Sequence, residues 1–404
     1  MRDCEPTTSQ HTRICSIYTF LKILIDIGHP AHVHIFRNLA KELEKDGHTV
    51  LFTCREKECT LDLLKAYRLN YISFGKPFQT SAGKILGLIK FNYKMLRVLL
   101  RFKPDVTLGH SSMYAAQASW LLGIPHISVE DTGNMEQIRL YRPFTKAILV
   151  PDSFHLNLGS KQIPYPGNHE LAYLAPNRFK RIDEWTIYDC TIKGKGDGLD
   201  TSISHSSIVH SSIPFVLLRF VAWHASHDHG HKGISHENKR EAIAAFSKFG
   251  NVYISSEGPL PDDLEPYRLK IPPEQMHDAI ASASLLYGES ATMASEAAVL
   301  GIPAIYLDNT GRCYTREEEE KYGLVFNFTE SEEDQQKSIQ KGVELLSTPG
   351  ILAEWQTRRQ KMLSDKIDVT AFLAWFVENW PESMKIMKAT PDYTERFKNT
   401  MYLD

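Results

Sequence analysis

From residue 22 onward, short apolar runs alternate with longer stretches in which apolar residues recur every three or four positions. The runs at 22–27, 49–53, 71–74, 106–108, 126–129 and 147–150 read as buried strands, and the stretches between them as helices. The first helix spans 33–46 and stops at Gly47, a residue suited to a helix end. This βαβ rhythm predicts a parallel sheet. A second series begins at 215–221 and continues through 252–255, 285–287, 304–307 and 325–328, with helices near 237–249 and 274–282. After Ser331 the pattern is helical almost to the end, and a helix over 371–380 is placed to cross back onto the first series. Two segments break the rhythm. The first 20 residues form an untidy extension, and 181–212, rich in Ser, Thr, Gly, Lys and Asp, has no apolar period and reads as a surface loop or insertion. The chain therefore divides into an extension over 1–21, an α/β domain over 22–168 left through 164–168, a second α/β domain over 169–370 carrying the 181–212 insertion, and a helical segment over 371–404.

The most informative stretch is 288–303, Gly-Glu-Ser-Ala-Thr-Met-Ala-Ser-Glu-Ala-Ala-Val-Leu-Gly-Ile-Pro. It follows the strand at 285–287 and opens a helix over 292–300. Bare N–H groups and the positive dipole end at Glu289, Ser290, Ala291 and Thr292 suit an anion, with Ser290 as the cap. Glu296 lies one turn in among small residues, and helical side chains lean toward the N-terminus, so its carboxylate points back toward whatever the turn binds. A phosphate at the helix start and a ribose at Glu296 fit a nucleotide, whereas a solvated helix face ending at Gly301 is the plainer alternative. The order of strand, small-residue turn, Ala-rich helix and Gly-Ile-Pro recurs at 109–125. Two such units imply two similar domains, with ligand bound outside the carboxyl ends of the strands in the cleft between them.

Composition narrows the class of ligand. At 42% hydrophobic and 24% charged residues, with a net charge of −3, the chain is an ordinary globular protein and not a general nucleic-acid binder, so a small molecule is the expected partner. The six cysteines, at 4, 15, 54, 59, 190 and 313, have no paired spacing, which points to free thiols in a reducing cytoplasm. The best apolar run, 14–27, is broken by Lys22 and Asp26 and fits neither a membrane span nor a signal peptide.

The turn after the first strand, Gly28-His-Pro-Ala-His-Val-His, places three histidines where a ligand's charged end arrives, to accept a proton or to donate to phosphate. His29 and His34 equally suit capping or packing. A second run, Trp223-His-Ala-Ser-His-Asp-His-Gly-His-Lys, clusters His224, His227, His229 and His231, but as the turn after a strand it reads as a nucleotide contact or a solvent-facing loop before it reads as a metal site. Residues 84–103 mix Lys84, Lys90, Lys94, Arg97, Arg101 and Lys103 with many apolar residues, which suits a core helix with a basic solvent side, or a helix lying on an anionic membrane face.

Several of these motifs resemble one family. Ile25-Asp-Ile-Gly-His-Pro-Ala-His-Val-His-Ile-Phe-Arg-Asn-Leu-Ala, Lys103-Pro-Asp-Val with Gly109-His110, Leu217-Leu-Arg-Phe-Val-Ala-Trp with Ala225-Ser-His-Asp, and the 288–303 segment are similar to an uncharacterised prokaryotic family, domain of unknown function 354. The resemblance runs from Lys22 to about Phe328, apart from 181–212. That family is more distantly similar to the two-domain GT-B superfamily, which includes the N-acetylglucosaminyltransferase that makes lipid II and the UDP-N-acetylglucosamine 2-epimerases. The resemblance implies two Rossmann-like domains with parallel sheets facing across a nucleotide-sugar cleft. It matches His32 to the transferase's histidine, Ser295-Glu296 through Gly301-Ile-Pro303 to its donor motif with Glu296 on the ribose, and Val129-Glu130-Asp131 to its acidic loop.

The epimerase matches at Glu289-Ser290-Ala291-Thr292 and at Val129-Glu130-Asp131, but its catalytic Asp falls on Ser112, and its His-Arg-Arg-Glu segment keeps only Arg219. Epimerisation at C2 needs acids and bases on both sugar faces. Glycosyl transfer asks for one base, from His32, Glu130 or Asp131, and for positive dipoles at the departing diphosphate. The expected function is therefore a glycosyltransferase with a nucleotide-sugar donor, UDP-sugar foremost, making surface polysaccharide or glycolipid from a sugar or lipid-linked acceptor. A 2-epimerase-like isomerase and a non-catalytic nucleotide-sugar binder are the alternatives. The donor contacts expected are Gly28, His29, Arg219, Ser226, His227, Glu289, Ser290, Ala291, Thr292 and Glu296, with Arg219 clamping the diphosphate or forming a strand-end salt bridge. The scheme calls for no metal and no cofactor, and for a cytoplasmic location, peripheral on the inner membrane face if 84–103 meets lipid.

Overall fold

A computed structural model describes residues 20–78, 81–182, 184–188, 206–210, 214–221, 232–398 and 401. The first half runs β1 (Lys22–Ile27), α1 (Pro30–Lys45), β2 (Thr49–Cys54), α2 (Thr60–Ala66), β3 (Tyr71–Ser73), α3 (Ser81–Phe102), β4 (Val106–His110), α4 (Met113–Leu121), β5 (His126–Val129), α5 (Met135–Tyr141), β6 (Ala147–Pro151) and β7 (Gln162–Tyr165). Its seven strands are all parallel, in the order β3-β2-β1-β4-β5-β6-β7. A short α6 (Leu171–Leu174) and an antiparallel pair, β8 (Glu184–Tyr188) with β9 (Ser206–His210), lead onward. This pair corrects the expectation of an irregular 181–212: backbone pairing orders part of a segment that has no apolar period to announce it.

The second half runs β10 (Phe215–Phe220), α7 (His236–Phe246), β11 (Asn251–Ser256), α8 (Met276–Ser282), β12 (Leu285–Gly288), α9 (Ala291–Leu300), β13 (Ala304–Leu307), α10 (Cys313–Glu320) and β14 (Val325–Phe328), then α11 (Glu332–Ser347), α12 (Ile351–Asp365), α13 (Val369–Glu378) and α14 (Glu382–Ala389). The sheet order is β11-β10-β12-β13-β14, again parallel. An isolated parallel bridge from Ile254 to Arg268 marks the remnant of a strand beyond β11. Each sheet reverses its winding beside its first strand, between β1 and β4 and between β10 and β12, and such switch points open crevices at the carboxyl ends of the strands.

The central strands are apolar throughout because helices cover both faces. Ile23, Leu24, Ile25 and Ile27 of β1 and Leu217 and Leu218 of β10 are fully buried. Gly288, at φ 156°, lies so close to β10 that a Cβ there would meet the Arg219 carbonyl oxygen at 2.0 Å, and this approach lets Glu289 N–H donate to the same oxygen at 2.9 Å. After α12 the chain returns to the first half, where α13 packs on α1 and α6. The helix α3 buries Phe91, Met95 and Leu99 while Ile89, Tyr93 and Leu100 remain exposed. Among the described residues no helix is long and apolar enough to cross a membrane, and Cys54, Cys59 and Cys313 are free thiols.

Candidate functional site

The turn from β1 into α1 is built by its own histidines. His29 is the N-cap of α1, its Nδ1 accepting from Ala31 N–H at 3.3 Å, and His32 Nδ1 accepts from Gly28 N–H at 3.3 Å. An imidazole whose Nδ1 accepts carries its neutral-form proton on Nε2. Both rings are held neutral: burial, then Lys57, Arg219 and His110, push His29 down to about 3, and burial followed by His110 and His29 lowers His32 well below its ordinary value. They are arranged as Nε2–H donors, and the lowered value makes His32 a weaker base than an exposed imidazole. His34 packs instead, its ring against Tyr173 and His277 with centroids 5.4 and 4.4 Å away.

Beside this turn lies a cluster that the sequence did not single out. His110, at the end of β4, stacks on His32 with centroids 4.4 Å apart, and its Nε2 is 2.9 Å from Asp131 Oδ1. The other Asp131 oxygen is 2.8 Å from Nδ1 of His169, which lies on the passage between β7 and α6. Burial opposes its charge, but the imidazoles of His169 and His110 hold the Asp131 carboxyl well below the usual range, so Asp131 is a poor proton acceptor. Glu130 is also corrected as a base. Its buried carboxylate accepts from Ser111 Oγ, Thr132 N and Oγ1, Gly133 N and Tyr141 OH at 2.5–3.1 Å, which makes it the organiser of the 130–133 turn. Below them Asp26 accepts from Thr53, Arg55 and Ser112. Ser112, at the epimerase's acidic position, donates to Asp26 at 2.5 Å and caps α4.

On the facing half, Ser290 caps α9 by accepting from Met293 N–H at 3.3 Å, and Ala291 and Thr292 retain partial exposure at the helix start. Glu289 turns inward instead, accepting from Val221 and Ile234 N–H at 2.9 and 2.6 Å. Arg219 takes the salt-bridge alternative, with Nη1 on Ser255 Oγ at 2.9 Å and Nη2 on Glu257 Oε1 at 2.5 Å. Glu296 is only 4% exposed, and its Oε1 accepts from Tyr173 OH at 2.9 Å and from His277 Nε2 at 3.0 Å. It ties the two halves together and is not an open ribose acceptor, because α6 covers the face toward which the carboxylate leans. Ser226 and His227 lie outside the described residues, as do His224, His229 and His231.

The halves meet near Asp131, where Cys313 Sγ donates to its carbonyl at 3.5 Å. A cleft of about 390 Å³ runs between the 131–133 and 153–155 turns of one half and Thr310, Arg312, Cys313 and Arg316 of the other. Of the expected site residues, Asp131 lines this cleft, Gly28, His29 and His32 form the turn into α1, Ser290–Thr292 open α9, and Glu130, Glu289 and Glu296 face inward. His110 was legible as part of Gly109-His110. His169 was not, because its partners meet it only in three dimensions.

With this arrangement established, the chain can be compared with known proteins. Residues 21–186 match the family described as "Protein of unknown function (DUF354)". It is the family that the motifs resemble, although the match stops well short of residue 328. The uncharacterized protein MJ0665 of Methanocaldococcus jannaschii is 25% identical over 309 residues, 74% of this chain and 83% of that protein. Among solved structures, a UDP-N-acetylglucosamine 2-epimerase aligns with a TM-score of 0.56 at 15% identity, covering 85% of this chain and 94% of that one. The glycotransferase of kitacinnamycin aligns with a TM-score of 0.56 at 12% identity, covering 89% and 98%. The fold is the two-domain GT-B-like arrangement, seen in both an epimerase and a transferase.

Proposed function

We propose that this protein is a glycosyltransferase that uses a nucleotide-sugar donor, a UDP-sugar foremost, in surface polysaccharide or glycolipid synthesis. The observations that carry this reading are the open start of α9, where Ala291 and Thr292 keep partial exposure, and the neutral His29 and His32 at the start of α1, whose Nδ1 atoms are engaged and whose Nε2–H groups are the donors. Helix dipole and imidazole donors together stabilise the negative charge of a departing diphosphate without a basic side chain. The epimerase alternative is weakened by Ser112, whose hydroxyl is committed to Asp26 and offers no proton acceptor on that face. The similarity to nucleotide-sugar proteins supports the donor class.

The test is thermal stabilisation across a panel of nucleotides and nucleotide sugars, since a ligand that binds only the folded state raises the melting point. A rise with UDP or UDP-sugars, followed by sugar transfer to an acceptor, supports the reading; no rise with any member of the panel refutes it. A lipid-linked acceptor is supported by exposed Ile89, Tyr93 and Leu100 on α3 beside Lys90, Arg97 and Arg101. Flotation with anionic liposomes should then carry the protein upward, and Lys90→Glu with Arg97→Glu should abolish this.

A further inference from the structure

The transfer scheme leaves the His110, Asp131 and His169 cluster without a task. These residues come from three separate segments, all are buried, and one ligand atom from each lies within 4.8 Å of the others. Two imidazoles and a carboxylate are a donor set for borderline divalent cations, and three protein ligands leave coordination positions open. The deciding detail is at His169. It is 2% exposed, and its Nδ1 is 2.8 Å from Asp131 Oδ2, yet neither ring nitrogen has an aligned hydrogen bond. A buried imidazole in that condition is costly unless its lone pair has another use. A nitrogen that approaches a carboxylate oxygen off the hydrogen-bond line is placed as two ligands of one ion are placed. The Tyr165 hydroxyl, on a ring stacked with His169, is likewise buried without a partner.

We infer that His110 Nε2, Asp131 and His169 Nδ1 bind one divalent transition cation of the zinc class, with open positions for water or a ligand oxygen. The site joins the end of β4, the turn after β5 and the passage between the halves, and His32 stacks on one of its ligands. A cation between His169 and Asp131 fastens the inter-half passage to the first sheet. The inference does not depend on the sugar-transfer reading, and its readout is the metal itself.

The experiment is elemental analysis of the purified full chain, followed by stripping with a chelator and titration with Zn²⁺ and Co²⁺. The expected result is about one cation per chain, a melting point that falls on chelation and recovers with Zn²⁺, and Co²⁺ visible bands typical of mixed nitrogen and oxygen ligation. His169→Ala and the milder His110→Asn should lower the metal content at least tenfold with the far-ultraviolet circular dichroism unchanged. A double change of His229→Ala and His231→Ala should retain the metal and so exclude the other histidine-rich run. Wild-type protein that carries no cation and binds neither Zn²⁺ nor Co²⁺ overturns the inference, as does metal retained by both His169→Ala and His110→Asn or lost from the His229 and His231 variant.

Discussion

Glu318 is fully buried on α10, where its Oε1 accepts from Ser295 Oγ at 2.5 Å and from Asn168 Nδ2 at 2.8 Å, while Oε2 has no partner. Burial, only partly opposed by these hydrogen bonds, pushes its carboxyl up to about 8. The folded state therefore binds the proton more tightly than the unfolded chain, so the stability contributed by Glu318 is complete at low pH and is lost as pH rises toward 8. Urea unfolding should show a loss on the order of 3 kcal/mol between pH 5 and pH 8.5, and Glu318→Gln, which copies the neutral carboxyl, should flatten that slope. An unchanged slope in the variant would assign the pH dependence to another group. Asp26 tests the opposite case of a buried charge that has a partner, Arg55 at 2.6 Å. Arg55→Met leaves this carboxylate uncompensated and should cost about 3–5 kcal/mol, whereas Asp26→Asn combined with Arg55→Met should recover part of the loss.

The helix α9 separates stability from binding. Ser290→Ala removes its cap and should lower stability by about 1 kcal/mol. Thr292→Glu places a carboxylate at the helix start, where it favours the dipole but repels a diphosphate; stability should hold while UDP-sugar affinity, measured by calorimetry, falls at least tenfold. Affinity that survived this change would move the phosphate site elsewhere. The strands at 126–129, 304–307 and 325–328 were legible to the residue because each is a short segment rich in β-branched or aromatic residues that follows a turn. By contrast, β7 escaped notice because Pro164 interrupts it, and proline is tolerated only at a sheet edge, where this strand lies. Similarly, α10 is mostly charged, and its buried face carries Tyr314, Thr315 and Glu318, so it has no apolar period to read. The Gly28–His32 turn and the Ser290–Thr292 helix start were visible because local sequence makes each of them. The inward commitments of Glu289 and Glu296, and the Ser111 and Tyr141 bonds that complete Glu130, depend on donors brought from elsewhere in the chain, and no spacing rule reports those.

The two halves are held together by buried polar groups. Lys366 places a fully buried ammonium between Asp152 at 2.8 Å and Glu317 at 2.7 Å, and Arg178 joins Glu42 on α1 to Asp368, the cap of α13. Lys366→Met should therefore destabilise the chain by about 2–4 kcal/mol and raise proteolysis at the junction; an unchanged urea midpoint would show that the bridge has little net value. The chain passes between the halves twice, and the passages are stitched to each other: Ile367 N–H donates to the Pro166 carbonyl at 2.9 Å, Thr370 Oγ1 to Ala172 at 2.7 Å and Asn177 Nδ2 to Asp368 at 2.9 Å. A single passage acts as a tether, but two bound side by side make one continuous seam between the halves. His169 sits on this seam within 2.8 Å of Asp131 of the first half, so a cation held there would bind the seam as well as the site.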